Sequence, residues 1–363
     1  MNDQDLEGLE VIVPNLHWRY SGVTATNRMV APRVAGLVRA AWLGRDAPEN
    51  IGRLGFRDLL RLRKPPSAHA RRVWHARRNN EMMVGLLLKL LGWPLHLIFT
   101  SAGQRHHTWI TRFLIARMDA VIATSEFAAS YLRRPATVVL HGVDPLVYCP
   151  PGDRAAAFAA TGLPGKYGIG TFGRVRPQKG SDVFVAAMCR LLPKYPDFTA
   201  VVIGAADQRA FADQLAERAK EAGIAERLRF LGELPIEEVP RWYQRILIYV
   251  FASRNEGFGL TLLEAMAAGT ALIAARAGAA EAVVDDGESG VLVPPGDVDA
   301  LVAALEPFMR DPECAAEMGR RAREQVLARF SIDVEVAKIV EVYRRVWATS
   351  DSIKAARSSP VKR

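Results

Sequence analysis

The chain has 363 residues, of which 50% are hydrophobic and 24% are charged, and its formal net charge is +9. This balance excludes a disordered chain, and the length suits about two domains. The most apolar stretch, residues 82–99, is interrupted by Lys89, Pro94 and His96, so a membrane-spanning helix is not expected there. The three cysteines are widely spaced and indicate neither a metal site nor a disulfide framework.

Short apolar runs alternate with amphipathic helical patterns along the chain. The predicted strands are, in chain order, residues 10–14, 72–76, 95–100, 120–124, 137–140, 167–172, 199–204, 228–231, 247–252, 271–275 and 290–293. Helical patterns include residues 207–222, 261–268, 301–308, 315–330 and 334–349. Such alternation is typical of parallel sheets with helices on both faces. It predicts an α/β chain of two Rossmann-like, doubly wound domains that face each other across a cleft.

A Pro/Gly-rich segment at residues 148–153 is the predicted domain boundary. We therefore expect a first domain over residues 1–150, a second over residues 151–349 and a flexible tail over residues 350–363. Residues 1–150 carry 20 basic and 11 acidic side chains, whereas the rest of the chain carries 28 of each. Most of the excess lies in residues 53–78, where nine basic residues accompany one acid.

Three patterns suggest chemistry that their context does not favour. Residues 168–173 fit G-x-G-x-x-G, but the glycines fall inside a predicted strand, so a dinucleotide site is not expected. Asp297 and Asp299 resemble the acid pair of metal-dependent sugar transferases, yet their position before an apolar helix favours a helix cap, and we expect no metal. The basic stretch lacks interleaved aromatic residues, so we expect no nucleic-acid site.

The most informative motif lies in residues 253–270, where a strand, a turn containing Gly257 and a helix follow one another. Free backbone N–H groups at the start of such a helix form an anion site. Here they belong to Phe258, Gly259 and Leu260. Glu256 and Glu264 are spaced to accept hydrogen bonds from sugar hydroxyls on either side of a diphosphate. The alternative is a capped helix with two surface glutamates.

A second motif, residues 173–180, follows the first predicted strand of the second half. Arg174 and Lys179 lie where a strand end meets a helix start, so both can reach a diphosphate. Arginine offers a fork of donors and lysine a point charge. The alternative is a solvated basic turn.

Together, these motifs resemble the carboxyl-terminal domain of family 4 retaining glycosyltransferases of the GT-B fold, over residues 167–330. Residues 230–233 and 287–296 add to the match. The first half fits more loosely. Through residues 74–81 and 99–108 it most resembles the lipopolysaccharide core mannosyltransferases that use GDP-mannose.

The resemblance implies a role for each motif residue. Glu256 contacts the transferred sugar, Glu264 holds the nucleotide ribose, and Arg174 and Lys179 bind the diphosphate. The donor loops also include Gly173, Gly257 and the amides of residues 258–260. Gly22, which has no Cβ, lets a first-domain loop approach the phosphate and the acceptor.

The family often has asparagine at the position of His141 and a histidine in the loop at residues 100–102. The expected histidine is therefore absent from its usual place. His106 and His107 follow soon after, and His107 is our candidate for proton transfer. The alternative is a polar surface pair.

The implied activity is transfer of mannose from GDP-mannose, with retained configuration and no cofactor, to a lipid-anchored lipopolysaccharide core. The start of the chain lacks a signal-peptide pattern, so we expect action at the cytoplasmic face of the inner membrane. Residues 53–78 and 82–93 predict peripheral contact with an anionic membrane, the alternative being a core helix behind a basic loop. Other readings are a UDP- or ADP-sugar donor, another acceptor, or a non-catalytic nucleotide- or nucleic-acid-binding protein.

Overall fold

The computed structural model describes residues 3–18, 22–103 and 106–358, and the chain divides into two compact units. Unit 1 comprises Met1–Leu140 and Asp333–Arg363, and unit 2 comprises His141–Ile332. Each unit contains one sheet whose strands are all parallel. The prediction of two doubly wound α/β domains is confirmed.

Unit 1 has a seven-stranded sheet in the order β3-β2-β1-β4-β5-β6-β7. Its strands are β1 (Val11–Asn15), β2 (Ala40–Gly44), β3 (Gly52–Leu54), β4 (Arg72–Ala76), β5 (Leu95–Ser101), β6 (Ala120–Ala123) and β7 (Thr137–Val138). The helices between them are α1 (Asp3–Gly8), α2 (Gly22–Ala35), α3 (Asp58–Arg61), α4 (Asn79–Leu90), α5 (Trp109–Ile115) and α6 (Glu126–Ser130). The central strands β1, β4 and β5 are buried along their whole length, as expected when helices cover both faces.

Unit 2 has a six-stranded sheet in the order β10-β9-β8-β11-β12-β13. The strands are β8 (Tyr167–Phe172), β9 (Phe198–Ile203), β10 (Leu228–Gly232), β11 (Ile246–Phe251), β12 (Ala271–Ala275) and β13 (Val291–Val293). The helices are α7 (Arg154–Ala159), α8 (Ser181–Leu191), α9 (Arg209–Glu221), α10 (Val239–Arg245), α11 (Leu260–Ala267), α12 (Ala280–Val283), α13 (Val298–Arg310) and α14 (Pro312–Arg329), with a 3₁₀ turn at Pro177–Lys179. The predicted strands of this half all form, within one or two residues of their expected ends.

The last helix, α15 (Ile332–Ser358), packs on unit 1 instead of closing unit 2. The Trp347 ring stacks on His69 with centroids 4.1 Å apart, and the Tyr343 hydroxyl lies 2.6 Å from His75 Nδ1. Asp351 accepts a hydrogen bond from the Ala70 amide at 2.8 Å. Residues 350–358, which we expected to be a flexible tail, therefore continue a helix, and residues 359–363 lie outside the described residues.

The boundary near residue 150 also differs from the structure, in which unit 2 begins at His141. The reason is a short parallel pairing of Val143 with Ser331. The Val143 amide donates to the Phe330 carbonyl at 3.0 Å, and the Ile332 amide donates to the Val143 carbonyl at 2.8 Å. The Pro/Gly segment at residues 148–153 is thus a loop inside unit 2.

Within the described ranges, no helix is both long enough and apolar enough to cross a membrane.

Candidate functional site

Two loops meet at the carboxyl edge of the unit 2 sheet. They are residues 173–180 after β8 and residues 252–259 after β11, and they emerge side by side because β8 and β11 pair in parallel. The Arg254 amide donates to the Gln178 carbonyl at 2.9 Å, and both terminal nitrogens of the Arg254 guanidinium contact Asp182 at 2.7 Å. The backbone hydrogen bond joins the two loops, and the forked ion pair fixes the second loop against the first turn of α8, directly after the first loop.

Glycine at position 180 makes this close approach possible. Its φ is 69°, in the left-handed region, and a Cβ there would overlap the Ala252 carbonyl oxygen. The preceding residue, Lys179, is therefore held beside the end of β11.

The helix α11 begins at Leu260, directly after Gly259, whose φ of 93° also favours glycine. No side chain caps this helix in the part of the chain that the structure describes. The first backbone N–H groups of a helix have no partner within it, so this end of α11 favours an anion. The Ala279 amide holds the Phe258 carbonyl at 2.8 Å, which fixes the loop from its other side. The predicted strand, turn and helix are confirmed.

Lys179 Nζ and Glu256 Oε2 form an ion pair between the two loops. Both side chains are largely buried, being 23% and 19% exposed. The other carboxylate oxygen of Glu256 accepts a hydrogen bond from the Gly257 amide at 3.1 Å. The two residues that we expected to contact a ligand separately thus contact each other, an arrangement that sequence spacing did not reveal.

Glu264 lies on α11, partly buried, with Oε2 accepting a hydrogen bond from the Tyr243 hydroxyl at 2.9 Å. Burial raises the pKa of Glu264, and the hydroxyls of Tyr243 and Tyr148 oppose the rise. Burial also raises the pKa of Tyr243 well above its ordinary value, so its hydroxyl stays protonated and able to donate.

Arg174 is mostly exposed, with 66% of its side chain accessible, and its Nη1 lies 3.5 Å from Asp207 Oδ1. Arg176 contacts the other oxygen of Asp207 at 3.2 Å. One carboxylate therefore faces two guanidinium groups, and the local charge is positive.

Comparison with known proteins identifies the family of the chain that carries these loops. The family model described as "Glycosyl transferases group 1" matches residues 153–325. The lipopolysaccharide core biosynthesis mannosyltransferase LpcC of Rhizobium leguminosarum bv. viciae is 48% identical over 352 residues, which are 96% of this chain and 99% of that protein. LpsB of Rhizobium meliloti, which has the same descriptive name, is 44% identical across 93% of this chain and 98% of its own. The chain belongs to the group 1 glycosyltransferases.

Solved structures agree with the fold of this glycosyltransferase. The carboxyl-terminal domain of a group 1 glycosyl transferase (LpcC) from Francisella tularensis is 39% identical and covers 53% of this chain and 100% of that domain, with a TM-score of 0.51. HepE of Anabaena, solved in complex with UDP, has a TM-score of 0.78 over 93% of this chain and 100% of its own, at 20% identity. The GT-B class expected from the sequence is confirmed.

Two predicted site residues of the glycosyltransferase lie in unit 1. Gly22 is the first residue of α2, and a Cβ there would meet nothing within 4 Å among the described residues, so none of them requires glycine. His107 Nε2 lies 3.5 Å from Ser101 Oγ, and the ring lines a cavity of about 410 Å³ together with Arg112 and Tyr131. His106 packs edge-on against Tyr131 with centroids 5.2 Å apart.

The sequence patterns did not single out His75, which is a buried histidine of unit 1. His75, at the end of β4, places Nε2 2.7 Å from the hydroxyl of Thr100, near the end of the neighbouring strand β5. Burial, and secondarily Arg77, lowers the pKa of His75 well below its ordinary value. A neutral imidazole with a partner at each nitrogen links the carboxyl ends of β4 and β5 to α15. Its partner Tyr343 is far away in sequence, so spacing could not have identified it.

The Asp297/Asp299 pair and the G-x-G-x-x-G run, which the sequence did not favour as sites, have structural roles. Asp297 caps α13, with Oδ1 accepting from the Ala300 amide at 2.9 Å, and Asp299 pairs with Arg190 at 2.5 Å. The predicted helix cap is therefore confirmed. Gly168 and Gly170 lie inside β8. Among the described residues, no three His, Cys, Asp or Glu side chains come together as metal ligands.

Proposed function

We propose that this glycosyltransferase moves mannose from GDP-mannose to the lipid-anchored core of lipopolysaccharide, with retention at the anomeric carbon. The observation that carries the proposal is the 48% identity to a lipopolysaccharide core mannosyltransferase over nearly the full length of both chains. The lipid-anchored acceptor implies action at the cytoplasmic face of the inner membrane.

The donor subsites follow from the contacts at the unit 2 loops. Glu264, oriented by the Tyr243 hydroxyl, accepts hydrogen bonds from the ribose. Lys179, Arg174 and the first amides of α11 bind the diphosphate. Glu256 accepts hydrogen bonds from the hydroxyls of mannose. Donor binding therefore breaks the Lys179–Glu256 ion pair. Lys179 then contacts the phosphate, and Glu256 contacts the sugar.

The same residues support the chemistry. As the bond between the anomeric carbon and the diphosphate oxygen breaks, positive charge grows on the sugar and negative charge on GDP. Lys179, Arg174 and the α11 amides stabilise the negative charge where it develops. The acceptor oxygen bonds to the anomeric carbon on the face that GDP leaves, and its proton passes to the departing phosphate. The products are GDP and the mannosylated acceptor.

His107, in unit 1, is proposed to assist this proton transfer by accepting a hydrogen bond from the acceptor hydroxyl, while the departing phosphate takes the proton. The partly buried His107 imidazole lies beside a cavity that Arg112, Arg133 and Arg134 also line, which suits an anionic acceptor. Gly22, where a Cβ would meet none of the described residues within 4 Å, is proposed to face the phosphate and the acceptor.

A thermal-shift panel with GDP, UDP, ADP and their sugars tests the donor, since a ligand that prefers the folded state raises the melting temperature. We expect GDP and GDP-mannose to give the largest shifts. Transfer of mannose to a core oligosaccharide lacking it, with NMR of the new linkage, tests the acceptor and retention. If only UDP- or ADP-sugars stabilise the protein, the donor is one of those sugars and not GDP-mannose. Binding without turnover would indicate a non-catalytic protein.

A further inference from the structure

One face of α4 is apolar and exposed to solvent. Met83, Leu87 and Leu90 follow one another at helical spacing, and Leu90 is 77% exposed. The opposite face of the helix is buried, with Gly85 so close to the Trp74 ring that a Cβ would lie 2.6 Å from it. The helix therefore covers the sheet with one side and leaves a row of large apolar side chains outside.

The exposed apolar surface continues onto the neighbouring helices. Asn79 Nδ2 donates to Thr111 Oγ1 at 2.8 Å, which joins α4 to α5. On the other side, Trp93 Nε1 donates to the Leu59 carbonyl at 2.7 Å, which joins the end of α4 to α3. The surface, named here the α3–α5 face, consists of the exposed side chains of Phe56, Leu60, Met83, Leu87, Leu90, Leu91, Trp109, Ile110 and Phe113.

The segments that form the α3–α5 face also carry exposed basic side chains. They are Arg57, Arg61, Arg63, Lys64, Arg112 and Arg117. The Arg117 guanidinium lies over the Phe113 ring, 3.4 Å from its centroid, so charge and apolar surface are adjacent. Two nearby acids are already engaged: Asp58 accepts from the Gly55 amide at 2.9 Å, and Asp119 pairs with Lys89 at 2.7 Å.

We propose that the α3–α5 face binds an anionic lipid bilayer, with the apolar side chains in the interfacial layer and the basic side chains on the headgroups. Apolar residues flanked by arginine and lysine are typical of such monotopic contacts, and each cation near an anionic surface adds to the affinity. A second copy of the chain fits less well, because a symmetric interface would bring the two sets of basic side chains together. The surface exists whether or not the acceptor is the one proposed above, and a lipid-anchored acceptor explains why it is useful.

The test is co-sedimentation of the full chain with phosphatidylcholine vesicles, with and without phosphatidylglycerol, at low and high salt, with no nucleotide or acceptor present. The wild type should bind the anionic vesicles and release as salt rises. Leu87→Gln with Leu90→Gln should weaken binding about tenfold at low salt, since two large apolar side chains no longer leave water. Charge reversal at Arg57, Arg61, Arg63 and Lys64 should remove the salt-sensitive part of the binding.

Matched variants on unit 2 serve as controls. Ile236→Gln with Leu327→Gln removes two exposed apolar side chains, and Arg218→Glu with Lys220→Glu reverses two exposed charges. Both should bind vesicles like the wild type, and all variants should keep their GDP-induced thermal shift.

Equal vesicle binding by the α4 double variant and the wild type would overturn the proposal. The proposal would also be overturned if the wild type does not bind vesicles but forms a dimer that the double variant cannot form. If the double variant melts early, Leu90→Gln alone, at the most exposed position, should still weaken binding about threefold. Because the assay contains no donor, a negative result leaves the proposed transfer reaction intact, and failed transfer leaves this surface intact.

Discussion

Replacing Tyr243 by phenylalanine isolates the contact that orients Glu264. The change removes only the hydroxyl, which donates to Glu264 Oε2 at 2.9 Å. The ring keeps its neighbours, with centroids 4.5 Å from Phe172 and 5.4 Å from Tyr249, so the fold should persist. If Glu264 binds the nucleotide ribose as proposed, the variant should bind GDP more weakly.

The size of the effect follows from the chemistry of the contact. A hydrogen bond to a charged group contributes about 1.5–3 kcal/mol. Because Tyr148 remains beside the same carboxylate and still favours its charged form, we expect the lower end, a roughly tenfold rise in Kd. The Tyr243 bond also holds the pKa of Glu264 down against burial, so its loss raises that pKa further. As pH falls, the variant should therefore lose affinity for GDP at a higher pH than the wild type does.

Isothermal titration calorimetry with GDP across pH 5.5 to 8 measures both effects. Tyr195→Phe is a matched control, because its hydroxyl lies 3.2 Å from Glu306 Oε1 and the change removes the same type of bond from unit 2. The control should bind GDP normally at every pH. The same Kd for both variants, with superimposable pH profiles, would refute the role given to Glu264.

Four further predictions concern the proposed reaction. Glu256→Ala should lower kcat at least 10²-fold while circular dichroism stays unchanged, and near-normal turnover would contradict its role at the sugar. Lys179→Ala should weaken GDP and GDP-mannose alike, and more than Arg174→Ala does, because Lys179 is the more buried and its loss leaves Glu256 unpaired. Activity should survive EDTA, since cations and helix amides already serve the diphosphate; strict dependence on Mn²⁺ or Mg²⁺ would show otherwise. His107→Ala should lower kcat without changing the Kd for GDP, whereas an unaltered kcat would make this histidine a surface residue.

Much of the unit 2 site was predictable because its signals are local. A buried apolar run such as β11 ends within one residue of where the sequence indicates, and the loop and helix after it follow from glycine positions and spacing. The contacts around Glu264, by contrast, join residues that are distant in the sequence. Tyr243 and Tyr148 reach Glu264 only through the tertiary fold, and no spacing rule singles out either phenol.

The first unit was harder to predict for related reasons. The strands β2 and β3 were missed because one edge strand is three residues long and both are flanked by glycine and charged residues. Its last helix was expected to end near residue 349, since residues beyond Asp351 are polar and lack a clear apolar period. Asp351 contacts the His69 ring and the Ala70 amide, which lie far away in the sequence, and these contacts stabilise the helix beyond residue 349.

The return of α15 to unit 1 has a consequence for how the protein is made. Roughly 190 residues of unit 2 separate Leu140 from Asp333, and ribosomes add roughly 5–20 residues per second. Unit 1 therefore waits about 10–40 s for the helix that supplies Tyr343 to the buried His75 and Trp347 to His69. During that interval His75 lacks its phenol partner, while unit 2 emerges as one continuous segment. The domain translated first is thus the domain completed last, and chaperones would meet it with the surface for α15 still open.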